Sequence, residues 1–236
     1  SNTMTRYDYI LTLSCPDRIG IVHSVSGWLL NLHGNIIDAQ SRYNLTNLCG
    51  NGQINLREVK AFASLLSSLR LNPELAQATA NMMASAQKKP EGTANNAAQP
   101  MDIKQLEDLL AVPGFSADTF EKVKDFVVVL PRTTPINVNT ASAEVLAARI
   151  DTLPLADATR LVVSREKAIF GDIPTFLSQG LPGRERKAPS SEISVSTNYF
   201  IVNGDVHLSR ASLQVQALIE RDNGMKTTKV IWIREN

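Results

Sequence analysis

Residues able to do chemistry are sparse in this chain. It has three histidines, His23, His33 and His207, and two cysteines, Cys15 and Cys49. Two cysteines make neither a disulfide scaffold nor a four-cysteine zinc site. No nucleophile–base–acid set, Walker loop, metal-spaced histidine pair or EF-hand loop occurs, so the sequence predicts no enzyme. Glu107-Asp108 and Asp222-Asn223 read as solvent-facing or turn residues. Asp17, Arg18 and Gly20 stand where a strand gives way to a helix. Asp17 can cap a helix, and Gly20, without a Cβ, lets a ligand approach backbone amides at a helix start. The plainer reading of the same residues is a capped strand-to-helix turn.

The elements that must position these residues follow from periodicity and punctuation. Tyr7 to Leu13 alternates like a strand, and Pro16 breaks it. From Ile19 to Leu32, Ile21, Val22, Val25, Trp28, Leu29 and Leu32 share a helical face, and Gly34 suits the C-cap. Asn35 to Ala39 reads as a strand, giving a βαβ-like opening. After an Asn/Gly turn at 47–52, helices are expected over 55–71, 73–83, 102–110 and 116–127. Thr140 is the expected N-cap of a helix over 141–150, with Glu144 completing the cap. Further helices are expected over 154–168 and from Pro174. Residues 84–100 lack core formers and read as a mobile loop, and 180–190 as a basic loop. Two Asn-Gly pairs, Asn203-Gly204 and Asn223-Gly224, predict hairpin turns between strands over 192–203, 205–222 and 226–234. The order is α+β, a helical unit inserted into a sheet-bearing one.

The whole-chain balance agrees with a globular protein. Its 236 residues hold 43% apolar and 20% charged residues, with a formal net charge of +1. That balance carries no global signature of nucleic-acid or membrane-surface binding. The longest apolar run, Phe126 to Leu130, is too short to cross a bilayer, and no signal peptide precedes it. Ser1-Asn2-Thr3 ahead of Met4 reads as a tag remnant.

Two resemblances overlie this reading. Leu11 to Val22, Ser24 to Gly27 and Gly34 to Gln40 resemble the amino-terminal ACT domain of formyltetrahydrofolate deformylase. That likeness implies a small-molecule regulatory site at Asp17, Arg18 and Gly20. The deformylase catalytic domain is absent, so no such activity is expected. From Ile37 onward the chain resembles general secretion pathway protein K, the large minor pseudopilin family of type II secretion. Asp38 to Leu48, Val112-Pro113-Gly114-Phe115, Val129-Leu130-Pro131, Pro135 to Ala141, Ser196 to Phe200 and Val230-Ile231-Trp232 carry it. It implies a pilin-like antiparallel sheet with a helix, interrupted by a large helical domain of helix-hairpin-helix type. The assignment is 1–40 ACT-like, 41–52 with 188–236 pseudopilin, and 53–187 the insert. The expected role is tip capping by packing with other minor pseudopilins, on the periplasmic side of the inner membrane. Phe200, Val202 and Leu208 mark the expected contact face. Calcium, held through oxygen ligands, is compatible with the family, with no ligands assigned. The anchor helix such proteins carry has no counterpart here. The segment before Gln40 stands in its place, and the chain reads as a junction of two lineages at Asp38-Ala39-Gln40.

Ile136 to Ala141 also resembles the opening of DNA-gripping helix-hairpin-helix modules. Those need a Gly-rich hairpin whose amides face a phosphate. Leu153 to Asp157 has no glycine, and Asp157 would repel phosphate. Arg160, Arg165 and Lys167 read equally well as a solvated helix face. Asn137 and Asn139 read as satisfying turn backbone, and no nucleic-acid partner is expected.

Overall fold

The structure is a computed structural model and describes residues 8–13, 21–26, 33–88, 101–181, 183, 191–208 and 211–235. In chain order the strands and helices are β1 Asp8–Leu13, β2 Ile21–Ser26, β3 His33–Asp38, β4 Tyr43–Asn44, β5 Cys49–Gly50, β6 Gln53–Ile54, α1 Leu56–Ser68 and α2 Leu75–Gln87. There follow α3 Ala117–Val123, β7 Val127–Val128, β8 Ile136–Asn137, α4 Ala143–Arg149, α5 Leu155–Lys167, β9 Ile193–Ser194, β10 Tyr199–Leu208, β11 Ala211–Asp222 and β12 Thr227–Glu235. Two compact units result: residues 1–39 with 196–236, and residues 40–195.

The unit of residues 40–195 is mainly helical. Asn55 starts α1, its side chain accepting from the amides of Arg57 and Glu58. Ala61, Phe62, Leu65 and Leu66 then fall on one buried face. Each such large aliphatic or aromatic side chain contributes roughly 1.5–3 kcal/mol on burial. Phe62 stacks on Tyr43 with ring centroids 5.5 Å apart. Tyr43 is fixed by β4, which pairs in parallel with β7. Leu45 and Leu48 join the same core. Residues 41–48, which the sequence reading grouped with the terminal sheet, therefore pack inside the helical unit. Leu106–Ala111 is a 3-10 turn rather than an α-helix, and Asp108 closes its start by accepting from the amides of Lys104 and Gln105. The helix opened by Ser116 ends at Val123, because Val127–Val128 is drawn into β7. The N-cap of α4 is Ser142, not Thr140: Ser142 Oγ accepts from the Val145 amide. A final helical turn, Ile173–Thr175, runs into a π turn at Phe176–Gly180. Gly180 lets the chain pass close there, since a Cβ would lie 3.2 Å from ring atoms of both Phe170 and Phe176.

The other unit is built on an antiparallel sheet of order β12-β11-β10-β3. Tyr199, Phe200, Ile201 and Val202 are buried in succession, as are Leu218 and Ile219 on β11. Asn203-Gly204 is not a turn. It lies inside β10, opposite Gln216-Val215 on one side and Asn35-Gly34 on the other. The β10–β11 ladder instead continues to Leu208 paired with Ala211. Asn203 Oδ1 accepts from Gln216 Nε2 at 2.8 Å, so an asparagine with cross-strand partners continues the ladder. Asn223-Gly224 does mark a reversal, and Asp222 Oδ1 accepts from the amides of Gly224 and Met225.

The front of the chain departs from the βαβ expectation. Where a helix was expected over 19–32, Ile21–Ser26 is a strand, paired antiparallel with β1. Ile21, Val22 and Val25 are β-branched, stiff at χ1 and better suited to a pleated strand than a helix. The ACT-like order of strand, helix and strand is thus not formed over the described residues.

Candidate interaction surface

Asp17, Arg18, Gly20 and Cys15 lie outside the described residues. Cys49 is a buried free thiol; its Sγ donates to Gln87 Oε1 at 3.5 Å, and burial pushes its pKa up. A buried, protonated thiol is a poor nucleophile. Among the described residues, no group of three His, Cys, Asp or Glu side chains could hold a metal ion. Asp108 and Asp222 serve turns, as the preceding geometry shows.

The stretch at Ile136–Ala141 is a structural joint. Asn137 Oδ1 accepts from the Asn139 amide. Asn139 Oδ1 accepts from the Phe170 amide, and its Nδ2 donates to the carbonyls of Phe170 and Val195. The two buried asparagines do satisfy backbone, as their sequence implied. Arg165, read as part of a solvated helix face, is instead buried and donates to the Val138 carbonyl at 2.7 Å. Arg160 pairs with Asp157 at 3.0 Å.

The strongest electrostatic feature of the helical unit ties α1 to α4 and to Glu192, just ahead of β9. The Tyr43 hydroxyl donates to Glu58 Oε2 at 2.9 Å, and Arg149 Nη1 donates to both Glu58 oxygens at 2.8 and 3.0 Å. Arg149 Nε lies 3.8 Å from Glu192, Glu192 pairs with Arg57, and Arg57 reaches Asp151 at 3.2 Å. Burial pushes the Tyr43 phenol well above its usual value, and the Glu58 carboxylate adds to that. Burial alone would lower the Arg149 guanidinium, but the hydrogen bonds and charge of Glu58 outweigh it and hold Arg149 above its ordinary value. Every strong charge in this chain of contacts has an opposite partner. It welds the unit together.

The sheet offers a different kind of surface. Its register places Ile36, Val202, Ala217 and Ile233 in one row across four strands, and Asp38, Phe200, Ile219 and Val230 in the next. The middle of each row is core: Phe200 is 1% and Val202 6% exposed. Phe200 and Val202, which mark the expected contact face, are themselves the buried middle of that face; the side chain of Leu208 lies outside those described. Three of the four row ends are open, with Ile36 38%, Val230 42% and Ile233 58% exposed, whereas the fourth, Asp38, is buried. Three aliphatics on one face of a sheet, held by a buried center, can exclude water against a partner. No sequence signal separated buried row centers from open ends, because that depends on which strand is outermost.

Comparison with known proteins gives these contacts a context. Two family models, both described as type II secretion system protein K, match residues 41–132 and 136–196. The type II secretion system protein K of Pseudomonas aeruginosa is 29% identical over 189 residues, covering 73% of this chain. The chain spans 56% of that relative's length. Among solved structures, a chain of the GspK-GspI-GspJ complex of the enterotoxigenic Escherichia coli type 2 secretion system shares the fold. Its TM-score is 0.65 at 21% identity, covering 87% of this chain and 79% of that one.

Proposed function

The chain belongs to the type II secretion system protein K family, and from that premise we propose that it is a minor pseudopilin subunit that works by packing against other minor pseudopilins. The observation that carries this reading is the pair of family matches, which together run through the helical unit to its last strand. The likeness to a chain of a GspK-GspI-GspJ complex supports partners of the same class. In this reading the four-stranded sheet is the pilin-like part and residues 40–195 are the inserted helical domain. The helical domain caps the pseudopilus tip on the periplasmic side of the inner membrane and blocks further addition.

The mechanism is association, not bond chemistry. Apolar row ends contribute roughly 25 cal/mol per Å² removed from water, offset by an association cost of about 4–15 kcal/mol. A handful of exposed aliphatics is therefore too little alone, and the assembly needs a broad surface around them. Among the described residues no helix is long and apolar enough to cross a membrane. The test is to mix the chain with the purified soluble parts of two other minor pseudopilins from the same system. Co-elution as one complex on size exclusion is expected; separate elution of all three at micromolar concentration contradicts the reading.

A further inference from the structure

Strand β12 is one of the two outer strands of its sheet among the described residues. Its register shifts between Leu218 and Ile219 of β11, where a bulge sorts the β12 side chains by face. Opposite Ile219 and Ala217 stand Val230 and Ile233; opposite Glu220, Leu218 and Gln216 stand Lys229, Trp232 and Arg234. One face of the edge thus carries the aliphatics Val230 and Ile233 between Thr228 and Glu235, and the other carries two cations and a tryptophan. Arg234 lies over the Trp232 ring at 4.1 Å, which holds its guanidinium near the strand. Val230 and Ile233 are open to solvent, as is Lys229.

These side chains decide what can pair with the edge. A second copy laid antiparallel so that Val230 meets Ile233 of the other copy sets Lys229 against Arg234, and like charges directly opposite destabilise a strand pair. Such charges and bulges guard edges against self-association. They do not exclude a strand whose charged face is negative. We propose that the β12 edge receives an extended segment of another protein by strand addition, and that this segment alternates aliphatic with acidic residues. Backbone groups of the edge supply the ladder, Val230 and Ile233 pack its aliphatics, and Lys229 with Arg234 select its carboxylates. The inference takes from the assembly reading only that a protein partner exists. Its test uses no pseudopilin, so the two can fail separately.

The probe is an acetylated octapeptide alternating valine and glutamate. It is titrated into the full chain and read by amide hydrogen exchange. Controls are the valine–lysine peptide and a valine–glutamate peptide N-methylated at alternate amides. Exchange across 227–235 is expected to slow at least tenfold with the first peptide alone, with an affinity that falls as salt rises. K229E, and K229E with R234E, are expected to lose that binding tenfold or more and to bind the valine–lysine peptide instead, with circular dichroism reporting their folding. No slowing, equal slowing by both charge patterns, equal slowing by the methylated peptide, or unchanged preference in a folded K229E overturns the proposal and leaves β12 a guarded edge only.

Discussion

Residues 40–195 turn their polar groups inward, whereas strands β10 to β12 keep theirs at the rim. In the helical unit Glu58, Arg149, Asn137, Asn139 and Arg165 are all buried. Glu58 and Arg149 join α1 to α4, Asn139 reaches Phe170 and Val195, and Arg165 of α5 reaches Val138, while Asn137 accepts locally from the Asn139 amide. In the sheet the buried residues are nearly all apolar, and the polar contacts, such as Tyr199 with Glu220 or Asn203 with Gln216, run between neighbouring strands. The difference teaches where each part gets its uniqueness. Directional long-range bonds specify one packing of short, irregular elements. A regular ladder needs only alternation and register, which frees its outermost side chains for a partner.

The largest break in that comparison comes from the buried ion pair. Arg149→Met leaves Glu58 charged and unpaired in the core, and equilibrium unfolding is expected to show a loss of about 3–5 kcal/mol. The double variant with Glu58→Gln is expected to recover part of it, since no charge is then stranded. Asn139→Ala removes the partner of the Phe170 amide and of two carbonyls, with an expected loss of about 2 kcal/mol by the same measurement.

Tyr43→Phe is smaller at neutral pH, about 1 kcal/mol for one hydrogen bond, and more telling when the solution is made alkaline. The Tyr43 phenol is raised in the folded state, so its contribution is complete below its ordinary value near 10 and is lost as pH rises through the raised value. Unfolding curves above pH of about 10 are expected to fall more steeply for the parent than for the variant. The smallest effect on stability is expected at the open rim: Ile233→Ser should stay within about 0.5 kcal/mol. The same substitution should weaken the complex with minor pseudopilins, which separates a contact residue from a core residue.

The same contrast explains how much could be read from the sequence. Helix α5 and the turn at Asn223-Gly224 were legible because a proline, an aliphatic period and an Asn-Gly pair act within a few residues. Asn137 and Asn139 were legible as backbone partners, though not the Phe170 and Val195 groups they bind. Asn203-Gly204 misled, since the same dipeptide signals a turn only when the flanking strands pair with each other. Here its partners are Asn35 and Gln216, on two different strands. The Glu58–Arg149 pair joins positions far apart in the chain, and nothing local in either helix announces it. Val22 and Val25 fit a helical face by spacing, but their branching favours the strand that β2 forms.

The central claim is that assembly is carried by the sheet while the helical unit holds itself together. Amide hydrogen exchange on the chain alone and in complex with two partner minor pseudopilins tests it most directly. Slowed exchange over 33–38 and 227–235, with the Tyr43, Glu58 and Arg149 region unchanged, is the predicted result. Slowing confined to residues 40–195 would contradict it.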